Sequence, residues 1–330
     1  MAANMHSSKN QIRQIITPQL CLDVYNLKFP YPKGQLPDAG ELGQTLFKPS
    51  PIFMQALYDL TYHSAILPLS QLPLDTLLAV DFTELLPDPD ATNYPEQCLG
   101  MVILLDQAPR LSTGYGFRYA RAFFDPLCVK LGLLFISLPI DRRPDGKQAW
   151  LSRGYSFEDW LVRMPWFWAP LSHSDSFMTE GRQQMRELLH NMRSEVEAHY
   201  DVRDPLAAFE HGDEIDINAF QKLEGPGPPT DSYIRPGSDA SMADLAFWTV
   251  RLFKSQFATY DMCGHAPYWV RWGGLEWTDN DREWIEKNGS FRHDPETEAV
   301  LEEVRKDYVV GVWKPMPLNP RFERSTDNAV

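Results

Sequence analysis

This chain of 330 residues lacks several features that mark well-known classes of protein. Its four cysteines, Cys21, Cys98, Cys128 and Cys263, are widely spaced and form no CxxC pair, which excludes a disulfide framework and a zinc ribbon. No stretch approaches the roughly 20 consecutive apolar residues that cross a membrane, and residues 1–14 are polar where a secretory signal is apolar. We therefore expect a soluble, cytoplasmic protein.

The motifs of common enzyme classes are missing as well. Gly114-Tyr115-Gly116 lacks the third glycine and the preceding strand of a dinucleotide-binding loop, and there is no GxxxxGK[ST], GxSxG or HExxH. Cys263 and His265 alone are too few to complete a metal site. The sequence therefore predicts neither a cofactor nor a bound metal.

Positive charge is scarce, because the formal net charge is -14. This deficit counts against general binding to DNA or to an anionic membrane, both of which require surplus Lys and Arg. Residues 106–193 are an exception, with 12 Lys and Arg against 9 Asp and Glu. This local surplus has two interpretations: a chance cluster of solvated charges, or a cationic cleft for an anionic substrate or an aminoacyl-tRNA.

Apolar residues recur with helical spacing through most of the chain, which predicts an all-α fold without a fixed repeat. The predicted helices cover residues 19–27, 51–67, 74–86, 96–107, 117–134, 157–167, 179–200, 241–260, 279–287 and 294–308. Residues 141–154 and 224–239 are predicted loops, because they contain proline and glycine turn signals. We expect an N-terminal wrapping segment (1–95), a helical core (96–223), a Pro/Gly-rich loop (224–240) and an aromatic C-terminal segment (241–330).

The first chemically informative string is Leu104-Leu105-Asp106-Gln107-Ala108-Pro109-Arg110. Asp106 ends an apolar run, where an unpaired carboxylate costs several kcal/mol of desolvation, so the chain must supply a partner. Arg110 stands four residues on and is the nearest cation. Because Pro109 disfavours helical geometry at Ala108, we place this string at the exit of helix 96–107.

The second string is Pro170-Leu171-Ser172-His173-Ser174-Asp175. His173 has the side chain best suited to proton transfer near neutrality, and Asp106 or Asp175 is the acid that would orient it. The string precedes a predicted helix, whose free amide groups favour an anion. In the alternative interpretation, Asp106 and Arg110 form a structural ion pair and His173 with Ser174 caps the helix.

Together the two strings resemble the DUF924 family, whose fold is helical and tetratricopeptide-like. The likeness covers about residues 97–200, and the matching positions are Asp106, Gln107, Pro109, Arg110, Asp125, His173 and Ser174. The chain departs from the family pattern at Ala108, Leu111 and Asp175, which bears on the substrate more than on the fold. The resemblance implies a tetratricopeptide-like bundle in which Arg110, Gln107, Ser174 and Asp125 contact the substrate.

Trp166 and Trp168, on either side of Phe167, are further candidates for the substrate pocket, with core packing as the alternative. The added terminal segments resemble the DUF924-like proteins of fungal specialised metabolism. A weaker likeness, in length and character, is to the arginine-containing cyclodipeptide synthases, which take aminoacyl groups from tRNA.

We therefore expect a biosynthetic enzyme that forms an amide bond in a tRNA-dependent reaction. Two alternatives remain open. One is an RNA-independent hydrolase, isomerase or cyclase that uses His173 and Asp106; the other is a non-enzymatic helical module that binds a peptide.

Overall fold

The structure is a computed structural model, and it describes residues 11–47, 50–73, 76–77, 79–111, 124–172, 174, 177–178, 181–205, 207, 210–211, 214–215, 240–265, 277–288, 302 and 306. These residues are predominantly helical, which confirms the all-α prediction. The described residues also hold one short antiparallel pair, β1 (Glu210–His211) and β2 (Glu214–Ile215), in which Glu210 is opposite Ile215. The tetratricopeptide-like arrangement remains a prediction.

The helices follow one another through the described parts of the chain. They are α1 (Pro18–Lys28), α2 (Ala39–Phe47), α3 (Pro51–Thr61), α4 (Leu67–Ser70), α5 (Tyr94–Asp106), α6 (Asp125–Ser137), α7 (Lys147–Leu151), α8 (Phe157–Ser172), α9 (Arg182–Tyr200), α10 (Met242–Cys263) and α11 (Asp279–Asn288). A π-helical turn (Tyr62–Ile66) joins α3 to α4, and 3-10 turns occupy Phe82–Glu84, Pro109–Leu111 and Ile140–Arg142. No helix in these ranges is both long and apolar enough to cross a membrane.

Three sequence predictions need correction. The predicted helix 74–86 is not continuous, because residues 79–81 lie outside any helix and only the 3-10 turn Phe82–Glu84 follows them. The segment 141–154, predicted as a loop, holds the end of a 3-10 turn and the short helix α7. Helix α8 continues through Pro165 and Pro170 to Ser172, past its predicted end at residue 167. Because α8 is buried along nearly its whole length, tertiary packing outweighs the local cost of its prolines. The predicted loop 224–239 and most of the predicted helix 294–308 lie outside the described residues.

Helix α5 lies at the centre of the hydrophobic core and is buried on every side, as its uniformly apolar sequence predicts. Helix α1 packs against it closely enough that the backbones touch at Gly100. A β-carbon at Gly100 would lie 1.8 Å from the backbone oxygen of Cys21. Only glycine therefore fits at this crossing.

Replacing Gly100 by alanine is expected to lower the free energy of unfolding by about 2 to 3 kcal/mol, because a backbone carbonyl cannot rotate away as a side chain can. Gly132→Ala in α6 is the matched control, since its β-carbon would meet only the flexible side chain of Leu171, at 3.0 Å. Urea unfolding of both variants measures the two losses of stability. Equal losses would contradict the close backbone contact between α1 and α5 at Gly100.

A buried polar network ties α1 to α5 and α8. The hydroxyl groups of Tyr25 and Tyr155 lie 3.2 Å apart, Arg163 Nε donates to the Tyr25 hydroxyl at 2.7 Å, and the Tyr155 hydroxyl donates to Glu96 Oε1 at 2.8 Å. Arg163 Nη1 also contacts Asp159 at 2.9 Å. Helix α1 is thus fixed to the core by directional contacts as well as by apolar packing.

Candidate functional site

The first candidate site is the buried ion cluster at the exit of α5. The helix ends at Asp106, one residue before its predicted end, and a 3-10 turn brings Arg110 back over its last turn. Arg110 Nη2 lies 3.0 Å from Asp106 Oδ1, so the predicted pairing is confirmed, and 2.7 Å from Asp125 Oδ1 at the start of α6. Gln107 Nε2 donates to the other oxygen of Asp106.

The two carboxylates of this cluster keep the buried guanidinium of Arg110 charged. Burial opposes the charge of Arg110, but the carboxylates of Asp125 and Asp106 outweigh burial and raise the pKa of the guanidinium above its usual value. Asp125 lies in the first turn of a helix, where the helix dipole favours a carboxylate, whereas Asp106 lies at a helix C-terminus, where the dipole opposes one. Asp106 therefore depends more on Arg110 than Asp125 does.

The cluster is poorly placed to contact a substrate directly. The three charged side chains are at most 7% exposed, and Arg110 already binds two carboxylates. An incoming anion would have to displace one of them. The arrangement favours a structural ion cluster that fixes the end of α5 to the start of α6.

The second predicted string is only partly described. His173 and Asp175 lie outside the described residues, so their approach to Asp106 and Arg110 stays a prediction. Ser174 is 8% exposed, and its Oγ accepts a hydrogen bond from the backbone of Phe177 at 3.2 Å. That contact is a capping hydrogen bond to the short helical stretch at residues 177–178, whereas α9 begins later, at Arg182, with Gly181 at its N-cap.

A second candidate site lies between the 3-10 turn at 140–142, α7, α8 and α9. It is a cavity of about 570 Å³, within the usual range for small-molecule pockets, and we call it the tryptophan groove. Its lining is Ile140, Arg143, Asp145, Gly146, Lys147, Gln148, Trp160, Trp168, Leu188, Asn191, Met192, Ser194, Glu195 and Ala198. Trp168, a predicted substrate contact, therefore lines a cavity large enough for a small molecule.

Asp145 holds the groove in shape. Its side chain, 2% exposed, accepts from Arg143 Nε at 3.0 Å and from the indole nitrogen of Trp168 at 3.0 Å, while its backbone oxygen accepts from the indole nitrogen of Trp160 at 2.9 Å. Burial opposes the charge of Arg143, but the hydrogen bond and charge of Asp145 raise its pKa. Both indole rings are therefore fixed before any ligand arrives.

Charges of both signs stand at the rim. Lys147 of α7 pairs with Glu195 of α9, and these side chains are 38% and 43% exposed. Because exposed pairs of this kind contribute little to stability, either partner can exchange its contact for a ligand group at small cost. Ile140 adds an apolar edge that is 79% exposed. The groove thus offers aromatic, cationic and anionic contacts within one cavity.

Trp166, the other predicted pocket tryptophan, is not part of the groove lining. It is 8% exposed, and its ring centroid lies 4.1 Å from Nζ of Lys28. Asp145, Trp160 and Glu195 were not predicted as site residues. A local signal existed only for the turn at 142–146, which contains Asp145 and Arg143. The two tryptophans that donate to Asp145 come from α8, and no local pattern connects them to the turn.

Within the described residues, no group of three or more His, Cys, Asp and Glu side chains is arranged to hold a metal ion. Neither the buried ion cluster nor the tryptophan groove therefore has a metal-binding donor set in that part of the chain. Comparison with protein-family models, with curated proteins and with solved structures finds no match to this chain.

Proposed function

We propose that this protein is a biosynthetic enzyme that binds an amino-acid-derived substrate in the tryptophan groove. One observation carries the proposal: a cavity of about 570 Å³ whose two tryptophans are fixed by Asp145 and whose rim presents Lys147 beside Glu195. An amino acid derivative has a carbonyl or carboxylate for the cation, an amine for the anion, and a side chain for the indole rings.

An arginine side chain suits this groove particularly well. A guanidinium stacks on indole rings through a cation–π interaction and binds carboxylates through paired hydrogen bonds. Glu195 is the half-exposed carboxylate that would receive it. This match supports the narrower proposal of an arginine-containing cyclodipeptide as the product.

In that reaction, the amine of one aminoacyl-tRNA attacks the ester carbonyl of a second aminoacyl-tRNA. The carbon–oxygen ester bond of the second breaks, its ribose oxygen leaves with a proton, and an amide forms, which leaves a dipeptide esterified to the first tRNA. The free amine of this dipeptide then attacks the remaining ester carbonyl, the second carbon–oxygen bond breaks, the ribose oxygen of the first tRNA leaves with a proton, and the ring closes. His173 is proposed to take the proton from the attacking amine, oriented by Asp106 or Asp175. The positive excess in residues 106–193 is what supports a tRNA partner.

Replacing Trp168 by alanine is expected to weaken the binding of L-arginine amide about tenfold, because the variant removes an aromatic ring from the groove. Trp166→Phe is the matched control: it lies on the same helix and is equally buried, but it does not line the groove. Isothermal titration calorimetry provides the measurement. Equal affinity in the parent, W168A and W166F proteins would place the ligand elsewhere.

Reconstitution tests the reaction itself. The full chain is incubated with arginine, ATP, tRNA and arginyl-tRNA synthetase, with and without ribonuclease, and the products are identified by mass spectrometry. We expect a cyclodipeptide that disappears with ribonuclease and in the His173→Ala variant. A product that survives ribonuclease would support the RNA-independent enzyme, whereas groove binding without any turnover would support the peptide-binding module.

A further inference from the structure

Glu96, in the first turn of α5, has a buried carboxylate of which only one oxygen is satisfied. Its side chain is 3% exposed, and its Oε1 accepts a hydrogen bond from the Tyr155 hydroxyl at 2.8 Å. Its Oε2 is buried, and no described residue donates a hydrogen bond to it. Because a buried carboxylate oxygen without a donor is costly, this atom indicates a place for a ligand that donates one.

The hydrogen bonds that lead to Glu96 all run in one direction. A guanidinium can only donate, so the Tyr25 oxygen accepts from Arg163 Nε at 2.7 Å. The Tyr25 hydrogen is then directed at the Tyr155 oxygen, 3.2 Å away, because the Tyr155 hydrogen is already donated to Glu96. A chain polarised in this way stabilises negative charge at its end. The network therefore favours an ionised carboxylate at Glu96.

The side chain of Lys33 lies beside this carboxylate and reaches solvent, since it is 40% exposed. Its Nζ donates to the backbone oxygen of Arg153 at 3.0 Å and lies 4.3 Å from the centroid of the Tyr155 ring. The same nitrogen is 4.0 Å from Glu96 Oε1, which is too far for a hydrogen bond. Lys33 thus brings a positive charge close to Glu96 but gives its Oε2 no donor.

We infer that the Glu96 carboxylate, the Tyr155 ring and the Arg153 carbonyl form a binding site for a primary ammonium group, which Lys33 fills in this structure. An anion, an aromatic face and a carbonyl acceptor are the contacts that recognise such a group. A ligand amine is not tied to the backbone as Lys33 is, so it is free to move toward Oε2. The ligand class is the terminal amine of a polyamine or of a basic amino acid.

Entry of a ligand requires only that the Lys33 side chain turns away. The backbone beside it is held, because the amide nitrogen of Gly34 donates to Asp159 Oδ2 at 2.6 Å, and Asp159 is fully buried. Side chains that reach solvent change rotamer rapidly. None of the residues of this ammonium site lines the tryptophan groove, so the inference does not depend on the proposed function.

Chemical rescue tests this inference on the full chain. Replacing Lys33 by alanine removes the amine together with three methylene groups, which is the structure of n-propylammonium. The melting temperature of the Lys33→Ala variant is measured with and without n-propylammonium chloride at constant ionic strength. Trimethylpropylammonium chloride is the control, because its cation has the same charge and chain but no N–H to donate.

We expect about 0.1 M n-propylammonium to raise the melting temperature of Lys33→Ala by about 2 °C, and the trimethyl salt to leave it unchanged. The parent protein should respond by less than half as much, because its own Lys33 competes for the site as a tethered amine. Adding Glu96→Gln to Lys33→Ala should abolish the response.

The inference is overturned if n-propylammonium does not stabilise Lys33→Ala, or if the two salts stabilise it equally. A response as large in the parent protein, or one that survives Glu96→Gln, overturns it as well. The comparison of the two salts decides the question by itself if the double variant does not fold.

Discussion

Replacing Arg110 by methionine is expected to lower the free energy of unfolding by about 3 to 5 kcal/mol. The variant leaves Asp106 and Asp125 buried and facing each other without the guanidinium that now lies 3.0 Å and 2.7 Å from them. The loss comes from two buried carboxylates that no longer share a cation more than from a missing attraction. Urea unfolding followed by circular dichroism at neutral pH provides the measurement.

The matched control for this prediction removes all three charges at once, by combining Asp106→Asn, Arg110→Met and Asp125→Asn. Because a buried ion cluster can often be replaced by neutral groups of similar volume at small cost, the triple variant should recover most of the stability. A loss below about 1 kcal/mol in Arg110→Met would contradict the structural interpretation. It would indicate that water or a ligand already shares the site.

Sequence reasoning succeeds where the chemistry is local. Asp106 follows an apolar run, and the spacing of four residues to Arg110 is enough to predict the observed pair. Asp125 was indicated only by the family resemblance, because nothing in the spacing identifies an acid 15 residues away as the second partner. The uniform burial of α5 also follows directly from its sequence.

The tryptophan groove could not be predicted in the same way. Asp145 is 15 and 23 residues from Trp160 and Trp168, and Lys147 is 48 residues from Glu195. The Trp168 contact also requires α8 to run on through Pro165, against its local preference. A sequence rule that ends helices at proline makes α8 too short, and so it does not place Trp168 in the groove.

Among the described residues, each buried arginine binds a carboxylate, whereas the buried Lys28 does not. Arg110 binds Asp106 and Asp125, Arg163 binds Asp159, and Arg251 binds Asp204 at 3.3 Å. Lys28 is buried to a similar degree, yet its described contacts are two ring faces and a backbone oxygen. A carboxylate partner stabilises the charged form of a buried cation, and burial without such a partner among the described residues lowers the pKa of Lys28 to about 7.

Lys28 should therefore make the stability of the protein depend on pH. Its pKa is about 7 in the folded state and about 10.4 in an unfolded chain, so the unfolded chain binds more protons between these values. The free energy of unfolding therefore rises with pH between these two values. Below about pH 7 the folded protein bears the full cost of burying the Lys28 ammonium. Lys28→Met removes the titrating group, so it should be more stable than the parent protein at neutral pH.

The quantity to measure is the difference in unfolding free energy between Lys28→Met and the parent protein, because other titrating groups cancel in it. We expect this difference to shrink by about 3 kcal/mol between about pH 7 and about pH 9.5, as the parent loses its penalty. Lys28→Arg is the control, since its guanidinium keeps its charge at every pH in the window and gains no such relief. A difference between Lys28→Met and the parent that stays constant with pH would mean that Lys28 remains charged inside the folded protein. In that case the aromatic rings and the Leu46 carbonyl stabilise the ammonium more strongly than burial opposes it.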